Sequence, residues 1–128
     1  MTSFEFYMTK ELIKDDLRID VSSGEKSLEV VWTGKTFDRN PGEFLHPFLN
    51  EILTEAKANG LEIRLDFYAL EYLNSSTITP VIRLLEEAKN QEVPVTLLYS
   101  RNKVWQDKSF SAMKFFESKE PRIVIEPR

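Results

Sequence analysis

The chain has 128 residues, no cysteine, one histidine and a formal net charge of −4, with 41% hydrophobic and 30% charged residues. That length supports one domain with a buried core, and the composition is that of an ordinary globular domain. Disulfides, thiolate-bound zinc and cysteine nucleophiles are excluded. No apolar run reaches bilayer length, so no membrane association is expected. The acidic balance with scattered Lys and Arg argues against nucleic acid and for a protein partner or a basic partner surface.

The N-terminal stretch carries charges throughout and lacks the basic-then-apolar layout of a signal peptide, which makes the cytoplasm the expected compartment. Phe4, Phe6 and Met8 alternate with polar residues and predict a short extra strand. A hairpin is expected over 17–33: Leu17, Ile19 and Val21 alternate, residues 22–26 supply a turn containing Gly24, and Leu28, Val30 and Trp32 alternate again. The "GKT" at 34–36 is the tail of a phosphate-binding loop, but the glycine that loop needs upstream is Glu29, inside the strand. Gly34 therefore reads as the bend that ends the hairpin.

A helix follows in "DRNPGEFLHPFLNEILTEAKANG", with Asn40 as cap, Pro41 at the first helical position, Glu43 at the capping-box position and Gly60 as a left-handed stop. Leu45, Phe48, Leu49, Ile52 and Ala56 form its apolar stripe, while Pro47 marks either a kink or a second start beside His46. Leu61, Ile63, Leu65 and Phe67 predict a strand. Ile78, Val81, Ile82, Leu85 and Ala88 then predict a helix, "VPVTLLYS" a strand, "KSFSAMKFFESK" a short helix and "RIVIEP" a closing strand. This order is that of an α/β domain spanning 1–128, a mixed β-sheet of about four to six strands with helices packed on it, the later strands parallel.

No constellation points to an enzyme or calls for a cofactor. His46 sits on a helix entrance, where a capping or surface role suits it better than a Ser-His-Asp role. With one His and no Cys, a metal site would rest on carboxylates, and the pairs Asp15–Asp16 and Glu86–Glu87 are solvated or divergent. Trp32 and Trp105 read as core or rim residues.

The informative stretch is "YLNSSTITP" at 72–80, which places Asn74, Ser75, Ser76, Thr77 and Thr79 at a helix entrance where one cap suffices. With Thr77 or Ser76 as the cap, Pro80 falls in the first turn, where its missing N–H does no harm, and Ser75 keeps no structural duty. A phosphate on Ser75 would bring about −1.5 to −2 charges to the positive end of a helix. The fold tolerates that, whereas a partner docked there meets a hydrated dianion.

The run "LDFYALEYLNSSTI" resembles the signature of STAS domains, the anti-sigma-factor antagonist family, in which an Asp ends a strand and a phosphorylated serine opens a helix. Asp66 stands nine residues before Ser75, as in that pattern, and the element order fits over nearly the whole chain. Asn74 replaces the family's usual Asp and Thr77 its usual Gly. Both changes are similar to a divergent branch that includes the SiaC-type regulators.

The resemblance implies a non-enzymatic, phosphorylation-controlled protein-interaction switch. Its phosphoacceptor loop is 69–77, and its acceptor is Ser75, with Ser76 and Thr77 as neighbours able to share the role. Implied partners are a serine/threonine kinase of the anti-sigma type, a PP2C-type phosphatase and a downstream target of the diguanylate-cyclase or sigma-control kind. Asp66, Asn74, Ser75, Ser76, Thr77, Thr79 and Arg83 are the expected partner-binding residues, with Glu86 and Glu87 as a further rim. Two other classes compete: an interaction scaffold that is never phosphorylated, and a small anionic-ligand binding module at the same helix N-terminus.

Overall fold

A computed structural model describes residues 9–128; the alternation at Phe4, Phe6 and Met8 lies outside the described residues. The hairpin forms as its alternation predicts. β2 (Leu17–Ser23) and β3 (Ser27–Thr36) pair antiparallel, and the apolar positions meet across the ladder, Ile19 opposite Trp32 and Val21 opposite Val30. All four are at most 2% exposed. A preceding strand, β1 (Thr9–Lys14), adds antiparallel to β2.

The remaining strands are parallel, because helices carry the crossovers. α1 (Gly42–Asn59) connects β3 to β4 (Glu62–Asp66), and β5 (Leu70–Leu73) leads into α2 (Ser75–Asn90). β6 (Val95–Tyr99), α3 (Val104–Ser111), a 3-10 turn at Ala112–Phe116 and β7 (Ile123–Pro127) complete the order. The sheet runs β1-β2-β3-β4-β6-β7, with β5 lying beside the far end of β3. It is a mixed α/β sheet of seven strands among the described residues, more than the four to six expected. β1 and β5 account for the excess, since both are short and lack clean alternation. β6, between β4 and β7, is buried at every position.

Several local expectations need correction. α1 is not capped by the Asn40 side chain: Asp38 Oδ1 accepts from Asn40 N at 2.9 Å, and the helix opens behind Pro41 without a side-chain cap or a capping box. It runs through Pro47 as one helix, with Pro47 on its exposed side. Gly60 does stop it in the left-handed region, at φ 63°. Gly34 does not end β3. It bulges the strand at φ 83°, and there β3 passes from β4 to β5 as its partner. α3 begins at Val104 rather than Lys108, and the residues read as the middle of that helix form the 3-10 turn. No helix among the described residues is long and apolar enough to cross a membrane.

Candidate functional site

The helix entrance is organised by Asn74. Its backbone is extended (φ −82°, ψ 169°), so α2 starts at Ser75 rather than at Ser76 or Thr77. Asn74 Nδ2 donates to the Asp38 carbonyl at 2.9 Å, and Oδ1 accepts from the Thr77 hydroxyl at 2.7 Å. Thr77 N donates to the Asn74 carbonyl at 3.0 Å. One amide thus ties the β3–α1 connection to the first turn of α2. A carboxylate cannot do this, since the contact to Asp38 requires an N–H donor. Asn74→Asp is expected to lower unfolding free energy by about 1–2 kcal/mol in urea titration, the size of a lost hydrogen bond plus an uncompensated carbonyl. Unchanged stability would show that the contact to Asp38 contributes nothing.

The polar cluster then divides. Thr77 is buried and its hydroxyl donates to Asn74, so it presents no accessible hydroxyl for modification. Ser75, Ser76 and Thr79 are exposed, and their hydroxyls have no partner among the described residues. Pro80, buried in the second turn, withholds an N–H from the Ser76 carbonyl. The buried stripe of α2 is Thr77, Pro80, Val81, Leu84, Leu85 and Ala88, with Ile78 and Ile82 only partly covered at its flank.

Ser75 opens on a groove of about 390 Å³ lined by Tyr72, Ser75, Ile78, Trp105, Lys108 and Ser109. Tyr72 stacks on Phe37 (centroids 5.1 Å) and tilts against Trp105 (5.5 Å), which makes a three-ring strip. Phe37 is 65% exposed and Tyr72 37%, an unusual display of aromatic surface in one place. The strip exists because β5 pairs with β3 and the start of α3 grips the β4–β5 turn. Gln106, fully buried, donates to the Phe67 and Leu70 carbonyls at 2.7 and 3.0 Å and accepts from Ser100 N at 2.7 Å. Lys103 Nζ adds bonds to the Tyr68 and Leu70 carbonyls at 2.8 and 3.1 Å.

The other expected site residues lie apart. Asp66 accepts from Tyr68 N at 3.0 Å and pairs with Arg128 at 3.5 Å, and it has no hydrogen bond or ion pair with α2 among the described residues. Arg83 lies on α2's exposed side and donates to His46 Nε2 at 3.3 Å, at a second groove, of about 320 Å³, between α1 and α2. His46 is therefore a surface residue of α1, not a cap. Sequence reasoning missed Phe37, Tyr72, Gln106 and Lys108, and it left Trp105 between core and rim. These residues meet only through strand pairing and the docking of α3, which no local pattern announces.

No protein-family model matches the sequence, and a sequence comparison with curated proteins finds no match. Solved structures do match. SiaC of Pseudomonas aeruginosa superposes with a TM-score of 0.63 at 16% identity, covering 94% of this chain and 99% of that one. The crystal structure of the diguanylate cyclase SiaD in complex with its activator SiaC, also from Pseudomonas aeruginosa, matches with a TM-score of 0.60 at 17% identity, over 90% of this chain and 98% of the matched chain. A DUF3478-family protein with a SpoIIAA-like fold from Shewanella loihica matches with a TM-score of 0.50 at 14% identity, over 98% and 90%. At these identities the likeness is one of fold: the chain adopts the SpoIIAA-like, STAS-like fold that SiaC also has.

Proposed function

We propose that the chain is a single STAS-like domain, a non-enzymatic cytoplasmic regulator that binds a protein partner when unmodified and releases it when Ser75 is phosphorylated. The observation that carries this reading is the state of Ser75: exposed, unbonded, in the first turn of α2 and opening on the aromatic groove. Its neighbours fill other roles. Thr77 is buried, and Asn74 holds the entrance closed.

A serine/threonine kinase of the anti-sigma type transfers the γ-phosphoryl group of a nucleoside triphosphate to Ser75 Oγ. The hydroxyl proton is lost and the nucleoside diphosphate leaves. A PP2C-type phosphatase hydrolyses the ester with water, returning the hydroxyl and inorganic phosphate. Negative charge at this position is compatible with the fold, because the macrodipole and the free N–H groups of the first turn favour an anion. A partner pressed against Phe37, Tyr72 and Trp105 instead meets a dianion with its hydration shell. The crystallised assembly of SiaC with a diguanylate cyclase supports a partner of that class over a sigma-control module.

The test is fragmentation mass spectrometry of protein isolated from its own host, joined to binding of a host diguanylate cyclase. Phosphate is expected on Ser75, absent from Ser75→Ala, and the phosphorylated form should bind the partner about tenfold more weakly or worse. A chain that stays unmodified across growth conditions and with host kinases sinks the switch and leaves the unphosphorylated scaffold. A thermal shift with a phosphate-bearing metabolite and no kinase dependence would favour the anionic-ligand module instead.

A further inference from the structure

Among the described residues, Lys108 is the single charged side chain on the wall of the groove beside Ser75. Its ammonium has no hydrogen bond or ion pair there. Lys103, one turn earlier in the same segment, is bound to two carbonyls and cannot take a further role without releasing β5. Ser76 and Thr79, equally exposed, do not line this groove. The groove thus places the Ser75 hydroxyl, at the entrance of α2, and one unpartnered cation around Tyr72 and Trp105; its other serine, Ser109, follows Lys108 on α3.

We propose that Lys108 receives the phosphate of modified Ser75, forming an intramolecular ion pair that closes the groove over the Tyr72–Trp105 strip; this rests on the reading of Ser75 as the modified residue. The four-carbon stem of lysine lets the ammonium swing toward a phosphate. Modification then acts twice: it brings a dianion to the docking face, and it covers the rings a partner would use. It also removes Lys108 as a cation available to an acidic partner residue.

The test uses the full chain with phosphoserine installed at position 75 by genetic encoding, so that no kinase is required. The second phosphate pKa, ordinarily about 6, is followed by phosphorus NMR. With Lys108 present it should lie about 0.5 unit below its value in Lys108→Gln, the shift a solvent-screened cation gives. Lys108→Arg should retain the lowered value, and Lys89→Gln, in the last turn of α2, should leave it unchanged. Equal values in the wild type and Lys108→Gln, or an equal rise in Lys89→Gln, overturn the proposal. Failure here leaves the Ser75 reading intact, because that reading stands or falls on the modification state of the host protein.

Discussion

Gly34→Ala is expected to lose about 3–5 kcal/mol of unfolding free energy, enough to leave much of the population unfolded in a marginally stable domain. A Cβ at this position lies 1.8 Å from the carbonyl oxygen of Asp16, a backbone atom that no side-chain rotation can move. That carbonyl also accepts from Lys35 N at 3.2 Å, so relief of the clash breaks a backbone bond between β3 and the β1–β2 turn. The left-handed φ of 83° adds its own strain. Gly60 separates the two contributions. Its φ is 63°, but an added Cβ there meets nothing within 4 Å, so Gly60→Ala should cost only about 1 kcal/mol. Urea titration of both variants checks the difference, and equal losses would mean that the approach to Asp16 is harmless. Because Gly34 marks the point where β3 takes up β5, its loss should also loosen Tyr72 and the entry to α2.

The second large effect is expected at Gln106. Gln106→Leu removes three hydrogen bonds and leaves the buried Ser100 N–H without the acceptor it uses. The Phe67 carbonyl keeps its bond from Leu70 N and the Leu70 carbonyl keeps Lys103, so the loss should be about 3 kcal/mol rather than the sum of three orphaned groups. Gln106→Glu should be worse near neutrality, because it aims a buried carboxylate at two carbonyl oxygens. Burial raises the folded-state pKa of that glutamate above its unfolded value of about 4.3. The unfolded state therefore holds fewer protons over that window, and stability falls as pH rises through it. The Glu variant should thus regain stability as pH falls toward about 4, where a protonated carboxyl accepts from Ser100 N and donates to one carbonyl. A Glu variant as stable as the wild type at neutral pH would show that Gln106 does not hold the β4–β5 turn.

Much of the frame is legible because it follows local periodicity. Leu17, Ile19 and Val21 opposite Leu28, Val30 and Trp32 announce the hairpin, and the stripe from Leu45 to Ala56 with the stop at Gly60 announces α1. β5 escapes notice because four residues with both inner positions exposed carry no alternation, and only pairing with β3 makes them a strand. The bounds of α3 escape because Gln106 and Phe110 are its only buried residues, too few to mark where a helical face begins and ends.

The site is partly legible for the same reason. The excess of hydroxyls at 75–79 is visible in the sequence, but the choice of cap is not. Many residues there can cap, yet Asn74 takes the N-cap position without a side-chain capping bond, held instead by a carbonyl 36 positions earlier. The departure from Asp at that position has a physical account in this donor. The aromatic strip is the least legible part, since Phe37, Tyr72 and Trp105 come from three separate segments and meet only in the finished sheet.

The span of Gln106 has a consequence for timing. Its bonds reach back 39 and 36 positions to Phe67 and Leu70, and Trp105 and Lys108 supply the far wall of the groove. A ribosome that has delivered everything up to residue 100 has delivered Ser75 but neither the clamp on β5 nor the surface Ser75 opens on. A chain broken off at that stage offers a bare serine without the groove, so on the proposal that Ser75 is modified, incomplete molecules lack the surface a modifying enzyme would need to engage them.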